Sequence, residues 1–391
     1  MTDTTGRSPA VPVVAAGPAA AAGRWRPALP KNLWVYPAGL LLAGVLGCIP
    51  LLLLGAEPLS AYGDMVASSV GSPAALAQTL NRATPLLLGS CAVALALRAG
   101  LVNLGVDGQI YAGATAATGV AFALGSQHAG PWATVLMMVA GGLAGASLAA
   151  IPAVLKATRG VNELFVTIML NFVALYFVQY LVTGPWTDPT AGEALSRSID
   201  FRDRLPASPI SGAHVGIFIA LAAALVCWAW LTYSRKGFEI RAVGVSARAA
   251  GFAGIGIGSV TVTVMLLSGL LGGLAGSIEV SGVYGRLIAG LSPDFGLSAM
   301  LIAVIARRSL FAVVPIAFLF AALTVGTDSL QRSANLPFGA VLLFQGLVVI
   351  SILFFEALQQ VARSNGQAGT PLGRIAHVLR SRRPSRMRGA Q

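Results

Sequence analysis

Three groups of polar residues interrupt an otherwise apolar chain at spacings that could hold or pass a solute. Asn103, Asp107 and Gln109 place two amides and a carboxylate within one short glycine-bearing stretch just after Arg98. Thr167, Asn171 and Gln179 fall within about 120° of one another on a helix that turns about 100° per residue, forming one polar face on an apolar segment. Such a face is costly in lipid unless it meets another helix or a cavity, so pathway lining and interhelical hydrogen bonding are both open to it. Arg98 and Asp107 could equally pair to brace a break in the chain, and Asn162 and Glu163 stand where a helix cap is expected. The third group is the loop 234–258, in which Ser246 as N-cap and Gly254 as C-terminal stop delimit a short helix from Ala247 to Ala253. A loop of that kind suits either docking in a partner's groove or lying on a membrane surface.

Other chemistries lack their residues. A phosphate loop needs Gly-Lys-Ser/Thr, but Lys31 precedes Asn32, Lys156 precedes Ala157 and Lys236 precedes Gly237. The chain is therefore expected to be no enzyme and to hold no cofactor, with any ATP and Mg bound by a partner. His128, His214 and His377 are separated from one another, and Cys48, Cys91 and Cys227 lie singly in apolar stretches, so neither a metal site nor a disulfide framework is expected. The acidic residues fall at segment ends and breaks; Asp328 and Gln331, near the outer end of a segment, can reach solvent.

The elements that must position these groups follow from composition. With 56% hydrophobic and 10% charged residues in 391, the chain is not a soluble globular protein. About 20 apolar residues cross a bilayer core. Ten spans are predicted, at 34–54, 84–97, 109–125, 132–155, 164–183, 215–233, 259–279, 296–306, 310–331 and 338–358. The count ranges from eight to eleven because 84–97 and 296–306 are short enough to be broken or re-entrant. The predicted fold is thus an all-α polytopic membrane protein with both termini cytoplasmic. That frame places 20 Lys/Arg inside and six outside, against five and nine acidic residues, so the net charge of +12 divides into +15 and −3. Residues 1–32 and 359–391 are tails, the second rich in arginine, suited to anionic lipid and without the interleaved aromatics of a nucleic-acid binder. Residues 33–358 form the membrane domain. Gly141xxxGly145, Gly269xxxGly273 and Gly272xxxGly276 allow close helix approach. The nonapeptides at 105–113 and 282–290 share five positions, which would fit either an inverted repeat or a coincidence of glycines.

Three ordered motifs resemble one family. The stretch from Arg98 to Ala114, the stretch from Asn162 to Asn171 with Gly184-Pro185-Trp186 behind it, and the loop from Gly237 to Ile255 resemble segments of ABC importer permeases of the branched-chain amino acid and simple-sugar group, particularly the nucleoside-type subset. The resemblance covers roughly residues 33–358, and Asp107 stands where many members carry Glu. It implies discontinuous helices around a central path in a bacterial cytoplasmic membrane. It also implies a second permease subunit, a paralogue or a copy, a cytoplasmic ABC ATPase and an extracellular or periplasmic binding protein. On that basis Gly237, Glu239, Arg241, Ser246, Ala249, Ala250 and Gly254 form the ATPase-coupling loop. The pathway candidates are Asn103, Asp107, Gln109, Thr167, Asn171 and Gln179. The implied cargo is a nucleoside or related sugar-containing solute; the alternatives are a branched-chain amino acid or other small polar solute, and an ion-coupled secondary carrier.

Overall fold

The computed structural model describes residues 35–53, 55, 57–125, 130–208, 212–306, 309–333, 343, 346–351 and 354–355. The two tails and most of the span expected at 338–358 lie outside the described residues. In chain order the helices are α1 (Val35–Leu53), α2 (Pro58–Val70), α3 (Pro73–Arg98), α4 (Val106–Leu124), α5 (Pro131–Arg159), α6 (Glu163–Thr183), α7 (Gly216–Tyr233), α8 (Arg235–Val245), α9 (Ala247–Phe252), α10 (Ile257–Glu279), α11 (Phe295–Ile305) and α12 (Leu310–Ser333). Proline opens α2, α3 and α5, where its missing N–H costs nothing. The Ser72 hydroxyl caps α3 by accepting from the Ala75 amide at 3.0 Å. Asn162 caps α6 in the same way, through the Leu164 amide at 3.0 Å, as its position suggested.

Among the described residues, six helices are long and apolar enough to cross a membrane: α3, α5, α6, α7, α12, and α10 with the π turn that extends it to Tyr284. The α1–α2 pair, bent by 115°, is a seventh if it counts as one span. The segment expected at 84–97 is not short; it is the inner part of a 26-residue helix that begins at Pro73. Asn81 and Arg82, which look like a loop in sequence, continue that helix, whose outer half is packed on one side through Ala75, Thr79 and Ala83. The segments expected at 109–125 and 296–306 appear as α4 and α11, helices that begin inside the bundle after irregular backbone.

The bundle is arranged around α3, of whose apolar window 83% is buried, against 28% for α6 and for α7. A seam of small residues joins α10 to α4 and α5. A Cβ at Gly273 would strike the carbonyl of Gly141, one at Gly145 the carbonyl of Gly269, and one at Gly276 the carbonyl of Ile110. Lipid tails give no hydrophobic drive for helices to associate, so this close backbone approach supplies the packing attraction. The outer face of α6 exposes Phe165, Met169, Phe172, Val173, Tyr176 and Tyr180, apolar surface of the kind that meets lipid or another subunit.

The similar nonapeptides have dissimilar structures. Residues 105–113 cap and begin α4, whereas 282–290 run from the π turn into irregular backbone ahead of α11. Their shared glycines therefore do not mark equivalent positions.

Candidate functional site

Irregular backbone at membrane depth must find partners within the protein, and both interruptions find them at one place. The Asp107 carboxylate, in the first turn of α4, accepts at Oδ1 from the Ser292 hydroxyl at 2.7 Å and from the Gly296 amide at 2.7 Å. Gly296 lies in the first turn of α11, whose own N-cap, Asp294, adopts a left-handed φ of 56° and makes no side-chain cap. Asp107 thus serves the positive ends of two helices at once. The brace suggested through Arg98 runs instead to α11. Two breaks that lie 185 and more residues apart in the chain thus meet inside the bundle. Tyr111, one turn on, donates its hydroxyl to the Ala289 carbonyl at 2.8 Å and fastens the same joint.

Beside this joint the amides of Asn103 and Gln109 pair reciprocally, each contact 3.2 Å, with both side chains buried. Asn103 Nδ2 also donates to Ser268 Oγ at 2.7 Å, and that hydroxyl donates to the Ala92 carbonyl at 2.8 Å, which ties α3, α4 and α10 together. Asn171 brackets the start of α4 from outside: its Oδ1 accepts from the Gly108 amide and its Nδ2 donates to the Leu104 carbonyl, both at 2.8 Å. Thr167, buried, returns its hydroxyl to the Glu163 carbonyl at 2.8 Å and packs against Gly105. Five of the six pathway candidates therefore converge, and most of their polar atoms are engaged by one another, by Ser268 and Ser292, and by backbone. Gln179 is exposed farther along α6, away from that group.

The loop 234–258 folds into two helices rather than one. The Ser234 hydroxyl caps α8 by accepting from the Gly237 amide at 2.9 Å, and a Cβ at Gly237 would collide with the Leu231 backbone. Arg241 donates to the Leu231 carbonyl, and Lys236 pairs with Glu239 at 2.8 Å. Ser246 caps α9 through the Ala249 amide at 3.3 Å, and Gly254, at φ +80°, ends the turn that follows. Ala250 is buried, Ala249 is exposed, and Phe252 and Val245 are 87% and 88% exposed. A groove of about 590 Å³ between α8 and the turn that leads from α9 into α10 is lined by Arg235, Lys236, Phe238, Glu239, Gly254 and Ser259, among others.

At the opposite end of the bundle lies a group of which only Asp328 stood out in the sequence, as a residue able to reach solvent; it is partly buried instead. Arg82 of α3 places its guanidinium 4.7 Å from the centre of the Phe295 ring, and its electrostatic neighbours are Glu279 at the end of α10, Asp328 of α12 and Tyr284 of the π turn. Glu279 is 2% exposed. These residues look like loop charges because the helices that carry them are far apart in sequence; the one available signal was an arginine and a glutamate inside long apolar runs. Next to them the His214 amide donates to Asn81 at 2.9 Å, while His214 Nδ1 accepts from the Gly216 amide at 3.1 Å. The remaining ring nitrogen, Nε2, is buried without a partner, and burial pushes the imidazole down to about 4.

The segment 184–208 covers this end by backbone pairing. Ser196 donates its amide to the Leu287 carbonyl at 3.0 Å, Ile199 to Gly285 at 2.8 Å and Leu205 to Ser281 at 3.0 Å. On its outer side the Thr190 hydroxyl and amide, joined by Arg286, hold the Asp188 carboxyl below the usual carboxylate range.

Comparison with known proteins returns one family: residues 75–353 match a family described as the branched-chain amino acid transport system / permease component. The chain is 34% identical to the glucose ABC transporter permease protein TsgB13 of Haloferax volcanii, over 81% of this chain and 86% of that one. It is 31% identical to the guanosine ABC transporter permease protein NupP of Bacillus subtilis, over 85% and 95% respectively. A second guanosine permease of that organism, NupQ, is 28% identical over 52% of this chain and 66% of its own. No solved structure matches.

Proposed function

The chain belongs to the branched-chain amino acid transport system permease family, and from that premise we propose that it is the membrane-spanning subunit of an ATP-driven importer for nucleosides or related sugar-containing solutes. The observation that carries this reading is the α8–α9 module. A short capped helix, with two large apolar side chains exposed and a groove beside it, has the form of a plug for a partner's surface.

In this reading the partner is an ABC ATPase that supplies ATP and Mg, and the module lies on the cytoplasmic side, where the basic charge concentrates. Both termini lie on that side, in the cytoplasmic membrane of a bacterium. ATP binding favours one arrangement of the ATPases over another; only that difference in affinity can bias the permease between outward-open and inward-open states. Movement of Gly237, Arg241, Ser246, Ala250 and Gly254 as one body transmits the bias, because Arg241 and Gly237 join α8 to the end of α7. The occurrence of two guanosine permeases in one relative's organism favours a paralogous second permease over a second copy. An external binding protein delivers the solute.

The joint around Asp107, Asn103, Gln109, Thr167 and Asn171 holds the broken helices in register in this scheme, and it does so without lining the path. Coexpression with a candidate ATPase, second permease and binding protein, followed by reconstitution and uptake of labelled guanosine and glucose, tests the reading. ATP-dependent uptake is expected. Uptake that follows a proton gradient and ignores ATP, with no ATPase copurifying, would overturn it.

A further inference from the structure

Among the described residues, Glu279 is the most enclosed carboxylate without a hydrogen-bond or ion-pair partner. It is 2% exposed, and among the described residues its carboxylate has no hydrogen bond and no ion pair within 4.0 Å. Arg82, its electrostatic neighbour, has a buried Nε that is likewise unpaired. Asp328 and Tyr284 face the same guanidinium, and Phe295 forms a flat apolar wall beneath it. The group draws on α3, α10, α11 and α12, four elements that converge at the end of the bundle away from α8 and α9. A carboxylate held out of water without hydrogen bonds is destabilising, and within a membrane protein it is retained where something else satisfies it.

The arrangement is incomplete in a way that specifies chemistry. The Glu279 carboxylate needs donors and Arg82 Nε needs an acceptor, beside an aromatic face, whereas Tyr284 already bonds to the guanidinium and Asp328 has Arg332 as a second basic neighbour. Neighbouring hydroxyls on a sugar ring supply both: the two oxygens of one carboxylate accept from a vicinal pair of hydroxyls, while the guanidinium donates to hydroxyl or ring oxygens. A purely apolar solute would leave every charge unsatisfied.

We propose that Glu279, with Arg82 and Asp328, forms a subsite that takes the vicinal hydroxyls of the transported solute at the end of the path opposite the ATPase module. The proposal rests on the importer reading above and adds the part of the solute that is recognised and the residues that recognise it. Glu279 and Arg82 make the direct contacts, and Asp328 holds the guanidinium in place.

The test uses the assembled importer in liposomes, with binding protein saturated by each solute so that its own selectivity drops out. Uptake of guanosine is compared with that of 2′,3′-dideoxyguanosine, which lacks both hydroxyls. The wild type is expected to move guanosine at least about tenfold faster, the scale of one charged hydrogen bond. Glu279→Gln, nearly isosteric, is expected to bring the ratio close to one by slowing guanosine alone. Asp328→Asn, at a less buried position, is expected to lower the ratio partially, and it serves if Glu279→Gln does not assemble. An unchanged ratio in an assembled variant, or an equal loss for both solutes, would overturn the subsite. If the wild type moves neither guanosine nor a sugar, the importer reading fails instead.

Discussion

The sharpest consequences at the scale of single residues come from groups whose polar atoms have one place to go. Asn171 satisfies the Gly108 amide and the Leu104 carbonyl with the two ends of one side chain. Asn171→Leu leaves both without a partner in a setting with little water, and each orphan costs about 1–3 kcal/mol. The expected result is a Tm in detergent lower by several degrees, measured by a thermal scan; an unchanged Tm would show that water replaces the amide. His214 gives a pH dependence with a definite sign. Its folded value, about 4, lies below the ordinary 6.5, so the unfolded chain takes up a proton that the folded protein refuses. The stability it contributes is complete above pH 6.5, declines as pH falls towards 4 and is flat below that. His214→Gln should remove that part of the decline, as read from thermal midpoints between pH 7 and 4. The sequence disclosed Asn171 as a polar residue on an apolar helix but left its role open. It disclosed nothing of His214, whose burial depends on Asn81, 133 residues away.

At the scale of elements, the seam between α10 and its neighbours is the feature that sequence spacing revealed most directly. Gly141, Gly145, Gly269, Gly273 and Gly276 all sit where a side chain would enter another helix's backbone. Gly273→Leu is expected to force α5 and α10 apart and cost more than the 1–3 kcal/mol typical of overpacking, because the obstacle is backbone and cannot rotate away. Loss of a monodisperse peak in size-exclusion chromatography would report it. Helix starts were legible where caps are local: Ser246 and Asn162 mark their helices within one residue. The starts of α4 and α11 were legible to within three residues and one residue, but their capping was not, since it comes from Asn171 and Asp107 on other helices, and no local rule records a partner that distant. For the same reason α8 was read as loop: glycines at 237 and 244 lower its intrinsic helicity, while contacts with Leu231 and Arg98 compensate.

For the molecule as a whole, the module formed by α8 and α9 and the buried group around Glu279 occupy opposite ends of the bundle, so a signal at one end must cross α3 or α10 to reach the other. Gly254 is exposed and a side chain there meets no atom, yet its φ of +80° disfavours any residue with a Cβ. Gly254→Asp is therefore expected to leave the permease folded in the membrane while abolishing ATPase copurification and lowering ATP-driven uptake at least tenfold. Normal transport in that variant would remove the module from the coupling route. The polytopic, all-helical architecture followed from composition; the convergence of two broken helices required the fold. That convergence also sets an order of assembly. Asp107 awaits partners 185 and 189 residues later in the chain. Because a polypeptide enters the membrane from its N-terminus, α4 must wait with an unanswered carboxylate until α11 arrives. The ribosome has by then made three quarters of the protein, so a nascent chain released early carries a buried charge that marks it as unfinished.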